Sequence, residues 1–178
     1  WRGRQGGTME HTRADHMGML ATVINSLAIQ DAFERADIDA RVMTAVPIEA
    51  FAEFYSRNKA VSHLNRGKVT IFGCGMGNPF FSTDTAAVLR GAEIGADVVL
   101  MAKNIDAIYT DDPRKNPDAK KLSEVDYDYI LKNHLSAIDT CAASFAMDNH
   151  MKLHIFGLDD SENIYRVIMG EKIGTIVD

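Results

Sequence analysis

"KVTIFGCGMGNPFFSTDTAAVLRGAEIGADVVLMAK", Lys68 to Lys103, decides the fold class. The apolar run from Lys68 to Gly73 reads as a strand, and Thr83 to Ala96 reads as a helix. Asp97 to Lys103 then reads as a fully buried strand of the parallel-sheet kind. Between the first strand and the helix lies "GCGMGNPFFSTD", Gly73 to Asp84. Its glycines admit positive φ and let backbone N–H groups come close to a ligand. The helix opens on Ser82, Thr83 and Asp84, and its N-terminus offers free N–H groups with positive dipole character. Junctions of this kind, at the carboxyl edge of a parallel sheet, are where α/β proteins place ligands, so phosphate binding is expected. The spacing is neither G-x-G-x-x-G nor the P-loop pattern, since Asn78-Pro79 stands where those need other residues. A tight turn with a Ser/Thr/Asp cap would use the same residues. Phe80 and Phe81 tilt the reading toward a site, because adjacent loop aromatics are costly to expose unless they pack in a core or line a pocket.

Outward from this stretch, helical and strand patterns alternate along the chain, which means α/β. His16 to Ala36 places Met19, Leu20, Val23, Ile24, Leu27 and Phe33 at helical spacing and predicts a long, mostly buried helix. An apolar face left uncovered on it would serve subunit assembly. Ala40 to Val46 is expected as a strand, and the amphipathic segment Pro47 to Gly67 as a helix. Asn104 to Lys121, rich in Asp, Pro, Asn and Lys, is expected as a loop or hairpin. Helices over Ser123 to Asn133 and Ala137 to Asn149 follow. The chain then closes with a strand over Lys152 to Leu158, a helix over Ser161 to Glu171 and a strand over Ile173 to Val177.

The chain has 178 residues, 46% of them hydrophobic, enough to bury a sizeable core in one domain spanning 1–178. A net charge of -6 argues against a phosphate backbone as the main partner, so no nucleic acid is expected. No apolar run is long enough for a membrane span, and no signal peptide opens the chain, so a cytoplasmic protein is expected. Cys74 and Cys141 lie far apart and show no zinc spacing. No H-E-x-x-H spacing occurs among the histidines, so they read as surface or packing residues, and no metal ligand is assigned.

"GNPFFSTDTAA" closely resembles the GNPFF-[ST]-TD-[ST]-AA signature of the bacterial uridylate kinases (UMP kinases) of the amino acid kinase superfamily. The resemblance continues in "RADHMGMLATVINSLAIQDA" (Arg13 to Ala32), "DVVLMAKNIDAIYTDDPRKNPDAKK" (Asp97 to Lys121), "MDNHMKLHIF" (Met147 to Phe156) and "MGEKIGTIV" (Met169 to Val177). It implies a three-layer αβα sandwich with a mainly parallel sheet, and transfer of phosphate from ATP to UMP with Mg²⁺. It further implies a homohexamer inhibited by UTP and often activated by GTP.

By the same resemblance Met76, Gly77, Asn78, Pro79, Phe80, Phe81, Ser82 and Thr83 bind UMP together with Asp15. Arg2, Asn104, Tyr109 and Asp112 are implied on the ATP side. Many members read "NNVDG" or "TKVDG" where this chain has "NIDA", so the polar ATP-side residue is Asn104 or, one position back, Lys103. Asp84 and Asp139 resemble carboxylates that orient a lysine and the metal-bound phosphates; otherwise Asp84 is a helix cap. The family's lysine strand and first glycine loop match no residue from Trp1 onward, so the chain is expected to be N-terminally truncated and poorly active. Two other readings stay open: a carbamate or acetylglutamate kinase of the same superfamily, and a non-catalytic nucleotide-binding module.

Overall fold

A computed structural model describes residues 9–178. They fall into two compact units, one ending at Ala86 and the other beginning at Ala87. In the first, α1 (His11–Arg35) leads to β1 (Ala40–Thr44), β2 (Glu53–Phe54), α2 (Arg57–Asn65) and β3 (Val69–Gly73). The strands form an all-parallel sheet of order β2-β1-β3, with β1 and β3 in register from Ala40 opposite Val69 to Thr44 opposite Gly73.

Helix α1 begins five residues before the expected His16, because the Glu10 carboxylate accepts the N–H groups of Thr12 and Arg13 at 3.0 and 2.9 Å and caps an earlier turn. It is not mostly buried. Ala14, Val23 and Ser26 are its buried positions, whereas Leu20 and Ile24 are 54% and 69% exposed. One face of α1 packs on β1 and β3, and the face carrying Met17, Leu20 and Ile24 is open in the single chain. Pro47 to Gly67 is also not one helix. The chain turns after Ile48, adds β2 beside β1, and starts α2 only where the Ser56 hydroxyl accepts the Lys59 N–H. His63 on α2 meets the Glu53 carboxylate of β2 at 3.0 Å and ties the two elements together.

Helix α3 (Thr83–Ile94) leads into the second unit, which contains β4 (Val99–Lys103), β5 (Ile108–Tyr109), β6 (Lys121–Leu122), β7 (Glu124–Val125), α4 (Tyr127–Lys132), α5 (Thr140–Asp148), β8 (Leu153–Gly157), α6 (Glu162–Ile168) and β9 (Thr175–Val177). Its main sheet has the order β4-β8-β9-β7, with β4–β8 and β7–β9 parallel and β8–β9 antiparallel. The expected loop or hairpin is a hairpin, β5 pairing antiparallel with β6. The fold is therefore α/β with parallel-dominated sheets, as expected.

Two details differ from the sequence reading. Strand β4 is an edge strand with only Met101 fully buried and Leu100 37% exposed, so its apolar run does not signal burial on both faces. The helix expected from Ser123 starts at Tyr127, because Val125 pairs with Val177 and Asp126 then caps α4 through the Tyr129 N–H at 2.6 Å. Tyr127 lies in the core with its hydroxyl donating to the Met151 carbonyl at 2.5 Å, and burial pushes its phenol well above the ordinary range.

Gly174 sits at the turn into β9 with φ +80°, and a Cβ there would lie 2.1 Å from the Ile155 carbonyl oxygen and 2.9 Å from the Phe156 Cβ. Backbone crowded by backbone has little freedom to move aside. Gly174→Ala is expected to cost about 2–4 kcal/mol through strain and overpacking, read as a lower urea midpoint with an unchanged slope.

Candidate active site

The glycine-rich stretch emerges from β3 as an ordered loop whose entry is fixed by α1. Gly73 is needed for close packing rather than for a positive φ: a Cβ there would stand 3.2 Å from the Ser26 hydroxyl of α1. The next amide, of Cys74, donates to the Thr22 hydroxyl of α1 at 2.8 Å, and burial pushes the Cys74 thiol up. Cys74, Gly75, Gly77 and Phe80 then all take positive φ. For the two glycines this costs little; for Cys74 and Phe80 it costs about 1–3 kcal/mol each, which surrounding contacts must offset. Gly77 is doubly required, since its φ is +80° and a Cβ would lie 2.9 Å from the Ala45 carbonyl oxygen after β1.

Asp15 reaches this loop from α1, where its carboxylate accepts the Phe80 N–H at 2.7 Å. Phe80 and Phe81 are 64% and 48% exposed, which removes the core-packing reading of these rings. Asn78 and Thr83 are exposed too, while Met76, Gly77, Pro79 and Ser82 are half-buried. The cap of α3 is Ser82, whose hydroxyl accepts the Thr85 N–H at 3.1 Å. Asp84 lies inside the first turn, so it is not the cap, and its half-buried carboxylate adds negative charge at the positive end of the helix.

In the second unit a cavity of about 630 Å³ opens beyond the carboxyl ends of β4 and β8. Asn104, Tyr109 and Asp112 all line it, as does Lys103, the alternative to Asn104. The Lys103 ammonium donates to the Ala137 carbonyl at 2.7 Å across this space. The Tyr109 hydroxyl donates to the Asp106 carboxylate at 3.1 Å, and Lys121 pairs with the same group at 2.9 Å. Partial burial raises the Asp106 carboxyl, but the hydrogen bonds from Lys121 and Tyr109 outweigh it and hold the group below its ordinary value. Burial first, and Asp106 second, push the Tyr109 phenol up. Asp112 anchors the loop after β5 by accepting the Arg114 N–H at 3.0 Å. Gly157 ends β8 against this wall, since a Cβ would lie 3.1 Å from the Asp106 Cα.

Asp139 stands at the start of α5 and accepts the Ala142 N–H at 3.3 Å. Arg2 lies outside the described residues. Among the described residues no cluster of three or more His, Cys, Asp or Glu side chains could hold a metal ion. Sequence reasoning missed Thr22, Asp106 and Lys121. Thr22 carried a signal, a hydroxyl on an apolar helix face, whereas Asp106 and Lys121 meet only when the hairpin closes.

The sequence profile of the amino acid kinase family matches residues 3–157. The chain belongs to that family. The UMP kinase from Bacillus anthracis superposes with a TM-score of 0.93 at 34% identity, covering all of this chain (100%) and 75% of its own. The UMP kinase from Ureaplasma parvum gives a TM-score of 0.92 at 32% identity, covering 100% of this chain and 77% of its own. The uridylate kinase from Archaeoglobus fulgidus gives 0.69 at 25% identity, over 99% of this chain and 76% of its own.

Gly77→Ala tests the loop geometry. It is expected to destabilise the first unit by about 2–3 kcal/mol and to speed amide exchange from Cys74 to Ser82, seen by hydrogen-exchange mass spectrometry.

Proposed function

We propose that this protein is a uridylate kinase that transfers the γ-phosphoryl group of ATP to UMP, giving UDP and ADP in pyrimidine nucleotide biosynthesis. The observation that carries this reading is the likeness to bacterial UMP kinases over the whole chain, at 34% identity and a TM-score of 0.93, with the "GNPFFSTD" loop in an ordered, strained conformation. The loop from Met76 to Thr83 and Asp15 bind the uridylate, with exposed Phe80 and Phe81 shaping its pocket. Asn104 or Lys103, with Tyr109 and Asp112, take the ATP side, a role supported by the cavity they share; Arg2 completes it.

The bond from the γ-phosphorus to the β,γ-bridging oxygen breaks and its electron pair leaves with ADP, while a UMP phosphate oxygen forms the new bond. The acceptor is already an anion at neutral pH, so alignment and charge neutralisation matter more than a general base. Mg²⁺ supplies charge neutralisation, entering with the ATP phosphates. The half-buried carboxylates of Asp84 and Asp139 would suit Mg²⁺, which commonly takes one or two protein carboxylates beside substrate oxygens and waters. Asp84 in the first unit and Asp139 in the second would each offer a carboxylate to cations that accompany the phosphates.

The open apolar face of α1, with Leu20 and Ile24 more than half exposed, supports assembly of copies into a homohexamer. UTP as inhibitor, GTP as activator and a cytoplasmic location complete the reading. Among the described residues no helix is long and apolar enough to cross a membrane. Residues 1–178 act as one amino acid kinase-like domain.

Isothermal titration with UMP, with AMP and CMP as controls, alongside a coupled ADP-release assay with ATP and Mg²⁺, tests the proposal. UMP is expected to bind at least about tenfold more tightly than AMP, a difference of roughly 1.4 kcal/mol. Equal binding of the three nucleotides, or turnover of carbamate or acetylglutamate in place of UMP, would overturn it. Selective UMP binding without ADP release would favour the non-catalytic reading.

A further inference from the structure

We propose that His11 is a positioning residue that sets the acceptor loop before substrate arrives, by holding Phe80 together with Asp15; the proposal rests on the uridylate-kinase reading of that loop. Phe80 is a residue whose conformation needs outside support. Its φ is +74°, a region that disfavours side chains with a Cβ, and its ring is 64% exposed, so burial of the ring supplies little of that support. Nearby Gly77 leaves the chain many alternatives.

Two contacts from adjacent turns of α1 act on this one residue. The Asp15 carboxylate accepts the Phe80 backbone N–H at 2.7 Å and so fixes the main chain. The His11 ring meets the Phe80 ring edge-to-face, with centroids 4.5 Å apart and planes at 88°, and so fixes the side chain. His11 also faces the same Asp15 oxygen, with Nε2 to Oδ2 at 3.9 Å. That distance is longer than a hydrogen bond, and it places the carboxylate and the imidazole on the same side of the loop.

His11 and Asp15 are four residues apart on α1, so they share a helix face and act as a two-point clamp. The main chain and the ring of Phe80 are thereby held while the loop is empty. Uridylate then meets a preformed surface, and less binding energy is lost in ordering it.

The test uses the intact protein and three chains: wild type, His11→Ala and His11→Phe. In His11→Ala, amide exchange over Gly77 to Ser82 is expected to rise while α1, β1 and β3 keep their protection. UMP affinity should fall about threefold to tenfold, the range expected for losing one aromatic pair, and ATP affinity should hold. His11→Phe retains the ring contact and should recover most of both effects. Unchanged loop exchange in His11→Ala would overturn the proposal, as would a loss of protection spread evenly over α1, β1 and β3. Absence of UMP binding by the wild type would sink the uridylate reading instead, while the exchange data would still decide whether His11 positions the loop.

Discussion

The close approach of α1 to the end of β3 is the constraint on which the glycine-rich loop depends. Gly73 lets the Ser26 hydroxyl come within 3.2 Å of where its Cβ would be, and this contact brings Thr22 to the Cys74 amide. A larger residue at position 73 would push the helix away, and the Cys74 N–H would be left buried without that acceptor. About two and three turns further toward the start of α1 lie the residues that reach the outer loop, Asp15 and His11. A single rigid helix therefore fixes the loop at its root and at its tip, which is how a segment with four positive-φ residues keeps one conformation.

The second unit solves a related problem by different means. Its cavity lies at strand ends, as ligand sites of parallel sheets do, but its walls are set by charge pairing rather than by helix packing. Asp106 collects Lys121 and the Tyr109 hydroxyl, so β5, β6 and the β4–β5 loop converge on one carboxylate. Lys103 crosses to Ala137 and fixes the segment before α5. These bonds are partly exposed and each contributes modestly. Their combined effect is geometric, because they hold Tyr109 at a set height in the wall.

Much of this was legible in the sequence where the signal is local. "KVTIF" followed by spaced glycines and a Ser-Thr-Asp start reads directly as strand, loop and helix, and the structure places each within two residues. The family signature named the loop and the cavity-lining residues, all of which except Arg2 fall in the described part. What the sequence did not reveal depends on pairing between distant segments. Val125 is a strand residue only because Val177 lies beside it, and Leu100 of the edge strand β4 is exposed although its run is apolar. Apolar periodicity in α1 likewise reports that a face is greasy and says nothing of what covers it. Phe80 at positive φ broke a local preference, and such violations gather where function requires a special geometry.

On the uridylate-kinase reading, the placement of the two carboxylates limits how charge can be handled during transfer. Ser82 and Asp139 each take an N–H at the start of α3 and α5, through Thr85 and Ala142, so those amides are not offered to a phosphate. Asp84 adds a further negative charge in the first turn of α3. These helix starts are thus less anion-attracting than bare helix termini would be. A phosphate group carrying several negative charges would need cations between itself and either carboxylate. On that reading each carboxylate would act on its substrate only through positive charge beside it, so removing either should mimic a shortage of metal more than a loss of uridylate binding.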